Sequence, residues 1–140
     1  MMILVDTNVF SEITKPRPDV RVVEWLFRHR DATLLSTVVV AELAVGIRVT
    51  RGERKRALLF PWLECLIADH TERIVTFDLP HAVRWGEFAA EVLISEQRVG
   101  SRQFDTLLAA QAMTLGVPLA THNVRDFQQL DINLIDPWTA

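Results

Sequence analysis

Residues 3–13 read ILVDTNVFSEI. Ile3, Leu4 and Val5 make a short branched apolar run, the composition of a strand buried on both faces. Asp6 follows with no intervening turn, and Thr7 and Asn8 lead straight back to Val9 and Phe10. A carboxylate on the end of a core strand calls for a reason. In an open parallel α/β sheet, ligands gather outside the carboxyl ends of the strands. Whether Asp6 stands at such an edge depends on what the remaining chain builds.

The 140 residues, 49% hydrophobic and 24% charged, suffice for one core, so residues 1–140 are expected to form a single domain. Strand-like and helix-like segments alternate. MILV (2–5), ATLLS (32–36), RIVTF (73–77), VPLAT (117–121) and INLID (132–136) read as strands. A short helix is expected from Asn8, ended by KPRP at 15–18. Asp19 can cap the next helix, and Ser36 can cap one that starts at Thr37 and runs through Val49. Gly52 marks a turn before a helix from about Arg54 to about Ala68, in which Pro61 predicts a kink or break. Asp78 can cap a long helix reaching Gln97, with Pro80 tolerated in its first turn. Gly100 and Ser101 reset the chain, Asp105 falls in or near the first turn of a helix that Gly116 ends, and 123–130 holds a short helical turn. Strands separated by helices predict a parallel sheet covered on both faces. Right-handed crossovers then give a three-layer α/β/α sandwich with five strands.

The formal charge of −3 does not suggest a strongly basic nucleic-acid binder. The single cysteine, Cys65 in WLECLI, excludes an internal disulfide, suits a reducing compartment and reads as a core residue. No apolar run approaches the ~20 residues that span a bilayer. The N-terminus lacks the pattern of a secretory signal, so the expected location is the cytoplasm.

Acidic residues recur at predicted strand ends and helix starts: Asp6, Glu42, Asp105 and the THNVRD segment at 121–126. Each has a plain alternative. Asp6 could serve a turn, Glu42 could lie on an exposed helix face, Asp105 could favour a helix N-terminus, and Asn123 and Asp126 could cap or turn. Together they stand where an open α/β sheet places a ligand. Buried carboxylates that converge repel one another unless a cation neutralises them, and hard oxygen donors favour Mg²⁺ or Mn²⁺. Phosphodiester hydrolysis by an activated water suits such a site and needs no covalent nucleophile. The sequence has no Walker A loop, GxSxG elbow, HExxH or CxxC pair.

ILVDTNVFSE, STVVVAEL around Glu42, FDTLLAAQA around Asp105 and ATHNVRDF near the end, in that order and spacing, resemble the PIN domains of VapC-type toxins. The DPW at 136–138 resembles the FitB-like branch. The resemblance implies a five-stranded parallel α/β/α sandwich and a Mg²⁺- or Mn²⁺-dependent endoribonuclease, the toxin of a type II toxin–antitoxin pair. It also implies a homodimer, a cognate VapB-like antitoxin that blocks the site, and contact with DNA only through that antitoxin. By motif, Asp6, Glu42 and Asp105 match the first three acidic residues, with Asp6 and Asp105 the direct metal ligands. Glu42 would act through water or aid the attacking water. Asp126 takes the fourth acidic role in an N-x-x-D arrangement, with Asn123 as the alternative. Thr7, Asn8, Thr121 and Asn123 are candidates for orienting a carboxylate or a phosphate; Thr7 and Asn8 could equally serve the turn and helix cap.

Arg102 and Arg125 are weak candidates for RNA phosphate contacts. The basic run Arg48, Arg51, Arg54, Lys55 and Arg56 reads first as a solvated helix end. His122 reads as a strand-end residue, and the four tryptophans as core or interface. A second function fits the same letters: a catalytically silent metal-binding module working inside a DNA-binding toxin–antitoxin complex. A haloacid-dehalogenase phosphatase fits poorly, because its second Asp, two residues after the first, is Asn8 here.

Overall fold

The computed structural model describes residues 1–95 and 103–140. β1 (Ile3–Val5) is the central strand of a five-stranded sheet. In chain order the other elements are α1 (Thr7–Glu12), α2 (Val20–Arg28), β2 (Thr33–Ser36), α3 (Thr37–Arg48), α4 (Glu53–Asp69), β3 (Ile74–Val75), α5 (Leu79–Ser95), α6 (Gln103–Leu115), β4 (Leu119–Ala120), α7 (Val124–Phe127) and β5 (Leu134–Ile135). The sheet order is β3-β2-β1-β4-β5 and every pairing is parallel. Leu4 stands opposite both Leu34 and Leu119, which fixes the register of the middle strands.

Successive side chains of a strand point to opposite faces. Ile3, Leu4 and Val5 are nonetheless all at most 1% exposed, so both faces of β1 are covered, as the α/β/α sandwich requires. Val9, Phe10, Val22, Trp25, Leu35, Val39, Leu108, Ala109 and Leu119 complete the same core. Each large apolar side chain buried there contributes about 1.5–3 kcal/mol.

The helix starts follow local chemistry. Asp19 accepts from the Arg21 N–H at 2.9 Å, and Ser36 from the Val38 N–H at 3.0 Å, so both act as N-caps. Gly116 takes φ +66° and, with Val117, donates to the Ala112 carbonyl, which ends α6 as expected. Glu12 joins α1 to α2: its Oε2 accepts from the Asp19 N–H at 2.8 Å, and Oε1 pairs with Lys15 at 2.7 Å.

Three expectations change. α4 continues across Pro61 without the expected break; Pro61 lies on its exposed side, where solvent can reach the carbonyl that proline leaves without a donor. Cys65 is exposed, because α4 turns Leu63 and Leu66 inward and leaves Cys65 off that face. α1 begins at Thr7, one residue earlier than Asn8, with Asp6 as its N-cap. The expected helix end at Gln97, the break at Gly100 and Ser101, and Arg102 lie outside the described residues. Among the described residues no helix is long and apolar enough to cross a membrane.

Candidate active site

Parallel strands end together, so β1, β2 and β4 deliver Asp6, Ser36 and Thr121 to one edge of the sheet. Asp6 is only 3% exposed, yet its carboxylate is closely held. The Thr7 N–H donates to Oδ1 at 2.7 Å. The Thr121 hydroxyl donates to Oδ2 at 2.7 Å, and Asn8 Nδ2 donates to the same oxygen at 3.2 Å. A further tier holds these donors. Asn8 Oδ1 accepts from the His122 N–H at 3.1 Å, and Thr121 Oγ1 from the Asn123 N–H at 3.0 Å. Thr7, Asn8, Thr121 and Asn123, proposed from sequence as orienting residues, thus form one network around Asp6.

Burial pushes the Asp6 carboxyl up to about 6, and the negative charge of Glu42 adds to the rise. The hydrogen bonds from Thr121, Thr7 and Asn8 pull it down without offsetting burial. Glu42 is half-buried on α3 and lines a cleft of about 330 Å³ together with Thr7, Ser11, Leu43, Lys55 and Trp62. Asp6 and Glu42 are therefore electrostatic neighbours, although 36 residues separate them in sequence.

Asp105 lies in the first turn of α6 and is half-buried. α6 leads back to the start of β4, so its N-terminus points to the same sheet edge as Asp6. Side-chain bonds from α5 and from the start of α3 help to hold this helix. Trp85 Nε1 of α5 donates to Thr106 Oγ1 at 3.0 Å, one residue beyond Asp105. The Ser36 hydroxyl makes a short hydrogen bond to Gln111 Oε1, joining the start of α3 to the middle of α6. Six residues of helix, about 9 Å of rise, separate Gln111 from Asp105. Asp126 and Arg125 are exposed on α7, just past the Asp6 network. Among the described residues, no three His, Cys, Asp or Glu side chains are drawn together closely enough to hold an ion. The network around Asp6 is tightly built, and Glu42 lies near enough for its charge to act on Asp6.

The donor chemistry fits a hard divalent cation. Asp6, Glu42 and Asp105 offer carboxylate oxygens, and Thr7 Oγ1 is buried without a hydrogen-bond partner among the described residues. A cation beside Asp6 would also reverse the cost of its burial.

Sequence reasoning missed Gln111 and Ser36 as a pair. Gln111 is fully buried and its Nε2 has no partner among the described residues. A polar residue inside LLAAQAM was the available signal. It also missed that His122 stacks on Trp138, with ring centroids 4.0 Å apart.

A family model described as PIN domain matches residues 3–133. The plasmid stability protein StbB of Pseudomonas syringae pv. tomato is 33% identical over 99% of this chain and 100% of its own length. The VapC ribonuclease Y4jK of Sinorhizobium fredii is 31% identical over 98% of each chain. The crystal structure of FitAcB from Neisseria gonorrhoeae matches with a TM-score of 0.85 at 30% identity, over 99% of this chain and 100% of that chain. A structure of FitAB bound to an IR36 DNA fragment gives 0.84 at 29%, over 98% and 96%. A parallel sheet of this order, a buried Asp just past its central strand and a family match over almost the whole length agree: this chain belongs to the PIN-domain family.

Proposed function

We propose that this chain is a metal-dependent endoribonuclease and the toxin of a type II toxin–antitoxin pair. The observation that carries the reading is Asp6, a carboxylate buried at the carboxyl end of the central strand, held by three hydrogen bonds and facing a second carboxylate's charge. That arrangement costs stability in the bare protein, and preorganised sites are where such costs are found. The relative named VapC ribonuclease supports the reaction class. The FitAB pair bound to DNA supports an antitoxin partner and DNA contact through it. We take residues 1–140 as one PIN-like domain working as a homodimer in the cytoplasm.

Mg²⁺, or Mn²⁺ in its place, is the proposed cation, with Asp6 and Asp105 as its direct ligands. When bound, such an ion polarises a phosphodiester and makes a nearby water easier to deprotonate. The protein's own residues supply the rest. Thr7, Asn8 and Thr121 fix both oxygens of Asp6, so that no reorientation is needed during reaction. Glu42, at the wall of the cleft, accepts a proton from the attacking water. Asp126 takes the fourth acidic role, with Asn123 at the N-cap of α7 beside it. Lys55, in the same cleft, and the exposed Arg125 supply positive charge for an RNA backbone.

The test is cleavage of RNA by the purified, antitoxin-free protein. Cleavage is expected with Mg²⁺ or Mn²⁺, and none with EDTA or in Asp6→Asn and Asp105→Asn. Full activity in either variant would remove the proposed mechanism.

A further inference from the structure

His122 sits beside the Asp6 network and takes no part in the proposed chemistry. Its backbone N–H donates to Asn8 Oδ1, and the same Asn8 side chain donates to Asp6, so one residue links His122 to the buried carboxylate. The imidazole lies on the indole of Trp138 at 4.0 Å between centroids and 30° between planes. Its Nδ1 stands 3.5 Å from Asp136 Oδ1, an oxygen that also accepts from the Trp138 N–H at 3.0 Å. The His122 side chain nevertheless remains 52% exposed. With one face on the indole and one edge toward Asp136, that exposure belongs to the opposite face and the outer edge.

Aromatic rings left open beside a nucleic-acid site serve as stacking surfaces, because every base offers a π-face. The neighbouring carboxylate favours a neutral partner over a phosphate, since Asp136 would repel an anion placed on the ring. We propose that His122, backed by Trp138, is a substrate-contacting residue on which a nucleobase flanking the cut phosphodiester stacks, and that it helps to set base preference at that position. This rests on the ribonuclease reading above. The role belongs to the flat face of the ring and is one of binding, distinct from the water activation assigned to Glu42.

The test compares wild type, His122→Ala and His122→Phe on a random-sequence single-stranded RNA in Mg²⁺, with cut ends sequenced and kcat and KM measured on the preferred oligonucleotide. His122→Ala should raise KM by about 10-fold, the scale of losing one stacked base, and flatten the preference at one position beside the cut. Its kcat and Tm should stay close to wild type. His122→Phe keeps a flat face and should hold KM within about 2-fold. Unchanged KM and preference in His122→Ala, with active wild type, would overturn the stacking role alone. A fall in kcat with no change in KM in both variants would assign the imidazole to chemistry and overturn it as well. A lowered Tm accounting for the whole loss would make His122 structural. Wild type that cleaves no RNA would sink both readings.

Discussion

Replacing Asp6 with Asn separates a carboxylate kept for chemistry from one kept for the fold. Burial holds the native carboxyl near 6, against an ordinary value of 3.8. The folded protein therefore binds this proton more tightly than the unfolded chain does. Asp6 weakens the fold progressively as pH rises from about 3.8 through about 6, and its full cost applies above that. Roughly two units correspond to about 3 kcal/mol at neutral pH. Asp6→Asn removes the charge and keeps the shape. Its Oδ1 can still accept from the Thr7 N–H, but an amide nitrogen in place of Oδ2 opposes both the Thr121 and the Asn8 donors, at a loss of about 1–2 kcal/mol. The metal-free variant should thus be more stable than wild type by about 1–2 kcal/mol at pH 8, or several degrees in Tm. The two proteins should converge in stability toward pH 4. Urea unfolding in EDTA at several pH values measures the difference. Adding Mg²⁺ should reverse the order, since an ion at 100 times its Kd stabilises only the protein that binds it, by about 2.7 kcal/mol. A variant that is less stable than wild type at pH 8 in EDTA, and gains as much as wild type from the metal, would refute the reasoning.

Thr121→Val removes the 2.7 Å bond to Asp6 Oδ2 and should lift the Asp6 carboxyl further while weakening metal affinity about 10-fold, which calorimetric titration would detect. Ser36→Ala strips the cap from α3 and a hydrogen bond from Gln111, and should cost about 1–3 kcal/mol in urea unfolding, equally with and without Mg²⁺. His70 is buried, its Nδ1 facing the Leu66 carbonyl and its Nε2 facing Thr33 Oγ1, and burial holds its pKa below the ordinary 6.5. Its contribution is present above pH 6.5 and is lost as pH falls through the lower native value, so His70→Gln should flatten the acid side of the wild-type stability profile.

Which parts of this protein could be read from letters follows from the range of the interactions involved. Strand β1, the caps at Asp19 and Ser36 and the stop at Gly116 depend on neighbours within a few residues, and each formed where expected. The later strands were read too long, at the edge and inside the sheet alike: 73–77 forms strand only at Ile74 and Val75, and 117–121 only at Leu119 and Ala120. The phase of α4 was misjudged at Cys65, since apolar neighbours on every side do not say which face turns inward. At the site, Thr7 and Asn8 lie next to Asp6 and were legible, and Thr121 was added by motif. The Ser36–Gln111 bond joins residues 75 apart, and the His122–Trp138 stack depends on how the tail returns past β5. Nothing local encodes either contact. The family pattern named four carboxylates, while the structure shows the hydrogen bonds that hold Asp6 and, among the described residues, draws no three such side chains close enough to hold an ion.

That difference makes ion placement the decisive measurement. A crystal structure of the protein loaded with Mn²⁺, located by its anomalous signal, should show an ion bound directly by Asp6 and Asp105, at about 2.0–2.2 Å from their oxygens. Glu42 should be turned toward the ion's water. An ion bound elsewhere, or one that leaves Asp105 uncoordinated on a separate surface, would contradict the claim that folding gathers these carboxylates into one cation site.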